Sequence, residues 1–167
     1  MNPQKPGLQI AQVEGADALE EVRTLFQEYW DSFGFTPCFQ NFGEELAGLP
    51  GSYTPPSGRL ALAKVDDQLA GCIALRPIDS TRAEPKRLYV RPAFRGQGIG
   101  RKLLEWVMNE ARAAGCSELV GDTMPVMRDA LSLYERMRFE IRDEANGTPQ
   151  SPSPQVADRP ILIRIKL

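Results

Sequence analysis

Residues 87–115 read R-L-Y-V-R-P-A-F-R-G-Q-G-I-G-R-K-L-L-E-W-V-M-N-E-A-R-A-A-G, and the fold follows from how this run divides. Leu88, Tyr89 and Val90 form a short apolar strand. It stops at Arg91 and Pro92, because Pro92 disfavours the helical region for the residue before it and donates no hydrogen bond. A turn follows in which Gly96, Gly98 and Gly100 alternate with Gln97 and Ile99. An amphipathic helix then starts, with Ile99, Leu103, Leu104, Val107, Met108, Ala111 and Ala114 at three-to-four spacing, and Gly115 suits the residue just past its end. Strand, glycine-rich turn and helix start together make a site for an anion. Glycines let backbone approach a phosphate and take conformations other residues resist, while free N–H groups at the helix start point at it. Arg95 and Arg101 add positive charge. A merely tight connection would not call for three alternating glycines flanked by arginines.

The spacing argues against two phosphate-binding units. A dinucleotide fold would show G-x-G-x-x-G after its first strand with an acidic residue about 20 positions later; Gly96, Gly98 and Gly100 have the wrong final spacing and lie past mid-chain. A P-loop needs Gly-Lys-Ser/Thr after its spacer, which residues 95–102 lack. The segment instead resembles the acyl-CoA-binding motif of the GNAT family of N-acetyltransferases, Arg/Gln-x-x-Gly-x-Gly/Ala, matched here by Arg95, Gly98 and Gly100. The resemblance implies that Leu88, Tyr89 and Val90 line the pantetheine arm of acetyl-CoA. It implies likewise that Arg95, Gly96, Gln97, Gly98, Ile99 and Gly100 hold its pyrophosphate.

At 167 residues the chain is expected to form a single domain, 1–167, long enough for a real core. Hydrophobic and charged fractions of 42% and 25% are ordinary for a globular protein. A net charge of −2 offers no general attraction to nucleic acid or anionic membrane, so neither is expected as a partner. No apolar run reaches spanning length and residues 1–7 hold no apolar signal segment, so a cytoplasmic location is expected. Cys38, Cys72 and Cys116, three and widely separated, suggest neither disulfides nor a zinc ribbon. The chain has no histidine. That removes Ser-His and Cys-His nucleophilic chemistry and nearly all zinc patterns, so no metal is expected and any general base must be a carboxylate, amine, tyrosinate or water.

In chain order, a strand over 8–13 is expected at a sheet end, then a helix from residues 15–17 to about 32 with Leu19, Val22, Leu25, Phe26 and Tyr29 on one face. Residues 29–42, Y-W-D-S-F-G-F-T-P-C-F-Q-N-F, are dense in aromatics that either pack helices on a sheet or line an acceptor pocket. A short helix over 42–47 follows, then strands over 59–65 and 68–75 joined by a hairpin at Asp66 and Asp67, with Arg76 and Pro77 ending the second. Residues 79–84 read as a polar loop into the central strand. A fifth strand over 118–121 precedes a helix capped by Asp122 or Thr123, with Met127, Ala130, Leu131, Tyr134 and Met137 inward. A sixth strand over 139–142, a mobile polar loop over 143–160 and an alternating final strand over 161–167 complete the chain. The order β-α-α-β-β-β-α-β-α-β-β, a mixed-sheet α/β fold, is the one the GNAT family shows. In that fold the strands flanking the cofactor splay apart.

Acetyl transfer to an amine requires the amine to lose a proton, the thioester carbonyl to be polarised and the leaving thiolate to be protonated. A backbone N–H near Val90 could polarise the carbonyl where strand pairing is interrupted. Tyr134, in L-Y-E-R-M-R-F, resembles the family's Tyr-x-x-x-Gly-Phe segment and is the candidate acid. A core tyrosine would occupy the same inward position. A phenol of pKa about 10 protonates a thiolate whose acid has pKa about 8.5 only with help from its surroundings. Arg138 departs from the family's usual glycine, whose left-handed conformation costs arginine about 1 kcal/mol. Glu84 is the candidate base, its alternative a solvated strand-end carboxylate; Asp122 is explained by capping. Cys72 and Cys116 read as buried small hydrophobes. Arg87 and Arg91 either meet phosphates or the acceptor, or are solvated.

The reading is an acetyl-CoA-dependent N-acetyltransferase that acts on a primary amine of a small molecule or peptide by direct transfer. Two other classes remain: a non-catalytic CoA-binding sensor or interaction module, and a phosphate-binding protein unrelated to CoA. Family members are often dimers, which allows a homodimer; nothing in the residues names the acceptor or the oligomeric state.

Overall fold

The computed structural model describes residues 7–33, 42–125, 127–143 and 161–167; residues 34–41 of the aromatic run, with Cys38, and all but the first residue of the loop expected over 143–160 lie outside them. The described elements are β1 (Leu8–Gln12), α1 (Ala16–Asp31), α2 (Phe42–Ala47), β2 (Arg59–Val65), β3 (Gln68–Pro77), β4 (Arg82–Val90), α3 (Ile99–Ala113), β5 (Glu118–Thr123), α4 (Arg128–Arg136), β6 (Glu140–Asp143) and β7 (Ile161–Lys166). They form one seven-stranded sheet in the order β1-β2-β3-β4-β5-β7-β6. Only the β4–β5 pair is parallel. This is the mixed sheet and element order expected.

Local chemistry sets the two hairpins. Asp66 and Asp67 turn β2 into β3 with φ of 47° and 64°, the mirror-image turn whose twist suits the strands it joins. Between β3 and β4 the Asp79 carboxylate accepts the N–H groups of Thr81 at 2.9 Å and Arg82 at 2.8 Å, and the Arg82 Nε at 2.8 Å. Those hydrogen bonds, the Thr81 amide first, hold its pKa down at about 2. The tight turn draws what reads as a polar loop into the ladder, so pairing extends to Pro77↔Ala83 and both strands run longer than expected.

Each face of the sheet carries its own core. Leu103, Leu104, Val107 and Ala111 of α3, with Leu133 and Tyr134 of α4, pack on Ala61, Ile73, Leu75 and Leu119. On the other face Val22, Leu25, Phe26 and Tyr29 of α1 and Phe42 of α2 pack on Leu60, Leu62, Cys72, Ala74 and Tyr89. The described aromatics work in this packing: Trp30 stacks on Phe42 at 4.3 Å, and Tyr29 meets Tyr89 edge-on at 6.4 Å. Cys72 is buried, whereas Cys116, beside the turn at the end of α3, is only half-buried, contrary to expectation.

The start of α4 is a correction. Asp122 and Thr123 do not cap it; they extend β5, in register with Leu162 and Ile161 of β7, and α4 begins five residues beyond Thr123, at Arg128, without a side-chain cap. Pairing with a strand far downstream wins over a local capping signal. Leu133, not on the expected stripe, is buried beside Tyr134, while Met127, Ala130, Leu131 and Met137 are half-buried. At the end of α4 the Arg138 N–H donates to the Glu135 carbonyl and the Phe139 N–H to the Tyr134 carbonyl, both at 3.0 Å, with Arg138 at φ 65°. The same paired closure ends α3, where Gly115 takes φ 87°. Phe139 is thereby kept in the turn, and β6 starts at Glu140. Replacing Arg138 by Gly is expected to raise stability by about 1 kcal/mol, read as a higher urea midpoint; an unchanged or lower midpoint would contradict the strain assigned to this turn.

Candidate active site

β4 and β5 are paired only at Arg82↔Glu118 and Ala83↔Leu119. Beyond that point β5 continues along β7 and β4 along β3, so among the described residues no strand pairs with the second side of residues 84–90 of β4. The Arg91 N–H donates to the Ala70 carbonyl of β3 at 2.8 Å. By strand alternation Val90 therefore turns its own N–H and C=O the other way, into the gap. The Val90 carbonyl is met there by the Arg95 Nε at 2.9 Å. Pairing with β3 also breaks, between Cys72 and Ala74, opposite the bulge where Arg87 has φ 58°.

The gap opens into a cleft of ≈ 720 Å³. Leu88, Tyr89, Val90, Arg95, Gly96, Gly98, Ile99 and Gly100 all line it, whereas Gln97 is exposed and does not. Gly98 is the N-cap of α3 at φ 80°, and the Lys102 N–H is the first to find an intrahelical acceptor, on the Gly98 carbonyl at 3.1 Å. The N–H groups of Ile99, Gly100 and Arg101 stay open, and the positive end of the helix dipole lies with them. A Cβ added at Gly96 (φ 77°) or Gly98 would meet no atom within 4 Å. Protein crowding therefore does not require glycine there. The positive φ does, and bare backbone is left facing the cleft.

Of the far walls, the α1 side falls in the aromatic run offered as an acceptor-pocket lining, whereas the α4 side is absent from the sequence reading. They comprise Tyr29, Ser32 and Phe33 at the end of α1, and Met127, Arg128, Ser132, Leu133 and Arg136 of α4 and its N-cap. The signal was there for α4, since Arg128, Ser132 and Arg136 recur at every fourth position and share one helix face. No role was assigned to Met127; its Sδ accepts the Thr123 hydroxyl at 3.2 Å.

Glu84, the first β4 residue past the last β4–β5 pair, sits where the strands part and is 8% exposed. It is not solvated: Arg76 Nε lies 2.8 Å from its carboxylate and Lys86 Nζ 3.6 Å away. Burial first, then the adjacent Arg87 charge, depress the Lys86 pKa. Tyr134 belongs to the α3 and α4 core, 6% exposed, with its ring 5.1 Å from Phe139; it is not part of the cleft lining. Its hydroxyl makes no hydrogen bond among the described residues. Burial above all, and then the nearby Tyr29 and Glu84, push its pKa well above the usual phenol value. Tyr134 belongs to the core on one face of the sheet and Tyr29 to the core on the other.

Arg87 and Arg91 neither reach the cleft nor stand in solvent. Arg87 is buried, bonded to Glu45 of α2 at 2.7 Å, and lies 5.5 Å from the ring centres of Tyr29 and Phe42. Arg91 forks onto Glu28 of α1 at 2.8 and 3.1 Å. Both clamp the first two helices to β4.

The model of the acetyltransferase (GNAT) family matches residues 19–139. An uncharacterised N-acetyltransferase of Schizosaccharomyces pombe is 34% identical over 144 residues, spanning 85% of this chain and 88% of that protein. Among solved structures, an acetyltransferase from Streptococcus agalactiae is similar with a TM-score of 0.74 at 22% identity, covering 96% of this chain and 99% of that one. The PaiA N-acetyltransferase of Thermoplasma acidophilum, in complex with coenzyme A, gives 0.71 at 19% identity over the same shares. At these identities the two structures speak for the fold.

Because the folded phenol of Tyr134 stays protonated above the value it has when unfolded, its contribution to stability is complete below pH about 10 and is lost as pH rises further. Unfolding free energy should fall by about 1.4 kcal/mol per pH unit for this group above that point, and Tyr134→Phe should flatten the slope by that amount in urea unfolding between pH 9 and 11. An identical slope in the variant would contradict the burial of the hydroxyl.

Proposed function

The chain belongs to the acetyltransferase (GNAT) family, and we propose from that footing that it moves an acetyl group from acetyl-CoA to a primary amine of a small molecule or peptide, directly and without a covalent acyl-enzyme. One coincidence carries the reading: the open amides at the start of α3 and the unpaired edge of β4 line a single cleft. That arrangement suits a ligand with phosphates at one end and an extended amide-bearing arm at the other. The same glycine loop, with Arg95 at its entrance, fits a pyrophosphate, and Leu88, Tyr89 and Val90 fit the arm.

Acetyl-CoA supplies an acetyl thioester, whose carbonyl carbon an uncharged amine attacks. This chain's residues do the rest. The Val90 N–H, turned into the gap, is available to polarise the carbonyl. Tyr134, buried in the α3 and α4 core rather than lining the cleft, is assigned the proton that the departing sulfur takes up, and burial keeps its phenol protonated throughout the neutral range. Glu84, at the vertex of the gap, takes the proton from the amine, directly or through water. Tyr29, Phe33 and Tyr89 wall the cleft with rings and limit access of water.

The test is release of free thiol from acetyl-CoA by the purified protein over a panel of primary amines, with acetyl-CoA affinity measured by calorimetry. Saturable thiol release is expected for some amine. Tyr134→Phe should lower kcat about 10²-fold with little change in acetyl-CoA affinity; unchanged turnover would reject the role given to Tyr134. Tight acetyl-CoA binding without thiol release from any amine would favour the non-catalytic sensor, and equal binding of ATP would favour a phosphate site unrelated to CoA.

A further inference from the structure

Glu84 stands among more positive charge than one carboxylate can answer. The β3–β4 register places Arg76 opposite it, and Lys86 follows two residues along β4, on the same side of the strand by alternation. Arg76 Nε lies 2.8 Å and Lys86 Nζ 3.6 Å from Glu84 Oε1. Neither approach is a hydrogen bond: Arg76 Nε and Glu84 Oε1 are buried without a hydrogen-bond partner among the described residues, and 3.6 Å is too long for Lys86. Arg87 and Glu45, the other charges nearby, are bonded to one another. Lys86, with its side chain 19% exposed, thus keeps three N–H donors that no hydrogen bond among the described residues meets. Burial weighs against that charge, and an arriving anion would relieve the cost.

None of Arg76, Glu84 and Lys86 lines the cleft assigned to acetyl-CoA. Glu84 sits where β4 and β5 part, and a Cβ on Gly121 of β5 would come within 3.3 Å of its Cγ. We propose that Lys86, with Arg76 beside it, binds a carboxylate of the acceptor. The acceptor is then a free amino acid or a close analogue, a small molecule whose amine and carboxylate are joined through one carbon. The inference rests on the amine transfer proposed above and narrows its substrate class. The fit is one of paired opposites: Glu84 takes the amine end and Lys86 the carboxylate end. Their 3.6 Å separation is of the order spanned by an amine and a carboxylate that share a carbon. The transfer step is unchanged. The amine nitrogen bonds the acetyl carbon, the carbon–sulfur bond breaks, Glu84 receives the amine proton and the sulfur leaves as a thiol with the proton from Tyr134. A peptide presents an amide in place of the carboxylate and a simple amine presents nothing, so both leave Lys86 without its anion.

The experiment is thiol release from acetyl-CoA with matched acceptors: a free amino acid, its carboxamide and its decarboxylated amine, repeated over small, aromatic, acidic and basic side chains. It is run on the intact protein, K86Q and K86R with KM and kcat separated, while acetyl-CoA calorimetry and thermal melts check the donor site and the fold. At least one free amino acid is expected to exceed both its partners in kcat/KM by about 10–100-fold, chiefly through KM. K86Q should erase that advantage by weakening the free acid alone, and K86R should restore part of it. The comparison on the intact protein stands by itself if K86Q does not fold. Carboxamides or simple amines used as well as the amino acids, or a preference that K86Q leaves untouched, would overturn the anion site while leaving the transferase standing. No release from any member of these sets would overturn this acceptor class, and silence across the wider amine panel would overturn the transfer reading with it.

Discussion

Everything in this molecule turns on the divergence of β4 and β5. A parallel pair at the centre of a sheet would ordinarily bond along its whole length, yet here two residues of each strand pair before they separate. β5 is committed to β7 through six register pairs, from Glu118↔Lys166 to Thr123↔Ile161. β4 is committed to β3 and bends at the Arg87 bulge. The outcome is an edge strand in the middle of the sheet, with amides that must find water or a ligand to avoid the cost of burial unpaired. Such an edge is a natural template for an extended chain carrying amides of its own. The N-terminal end of α3, with its open amides, stands at its mouth because the turn after β4 is short and glycine-rich.

Holding that edge open needs supports that touch no ligand. Arg87 is in a left-handed conformation that costs a non-glycine residue about 1–2 kcal/mol. It is retained by Glu45 and by the rings of Tyr29 and Phe42. Glu45 also accepts the Tyr53 hydroxyl, so α2 and the turn that follows it are tied to the bulge through one carboxylate. A buried pair of this kind adds little net stability but is costly to break from one side, which suits a part that sets geometry. Arg91 does the same at the far end of β4, reaching Glu28 of α1. The end of α1 that walls the cleft, and α2 beside it, are thereby indexed to the strand that forms its floor.

How much of this was legible depended on range. The helical stripes of α1 and α3, the Asp66 and Asp67 turn, the glycine loop and the alternating β7 are written in neighbouring residues, and their positions could be read directly. So could the left-handed strain at Arg138, because a helix end announces itself locally. The start of α4 could not, because Thr123 is held by Ile161, 38 positions downstream. Nor could the partners of Glu84: Arg76 stands opposite it only through the β3–β4 register, which the Asp79 turn sets. The α4 wall of the cleft was missed for a related reason. Its arginines are spaced to share a helix face, but nothing local says that this face looks across at the glycine loop.

The central claim, that the bare edge of β4 and the open start of α3 form one donor site, is tested most directly by hydrogen exchange with and without saturating acetyl-CoA. The account predicts slowed exchange in peptides covering residues 84–101, with the edge strand β1 and the β2–β3 turn unchanged. Protection confined to other parts of the chain, or none at all despite measured binding, would contradict it.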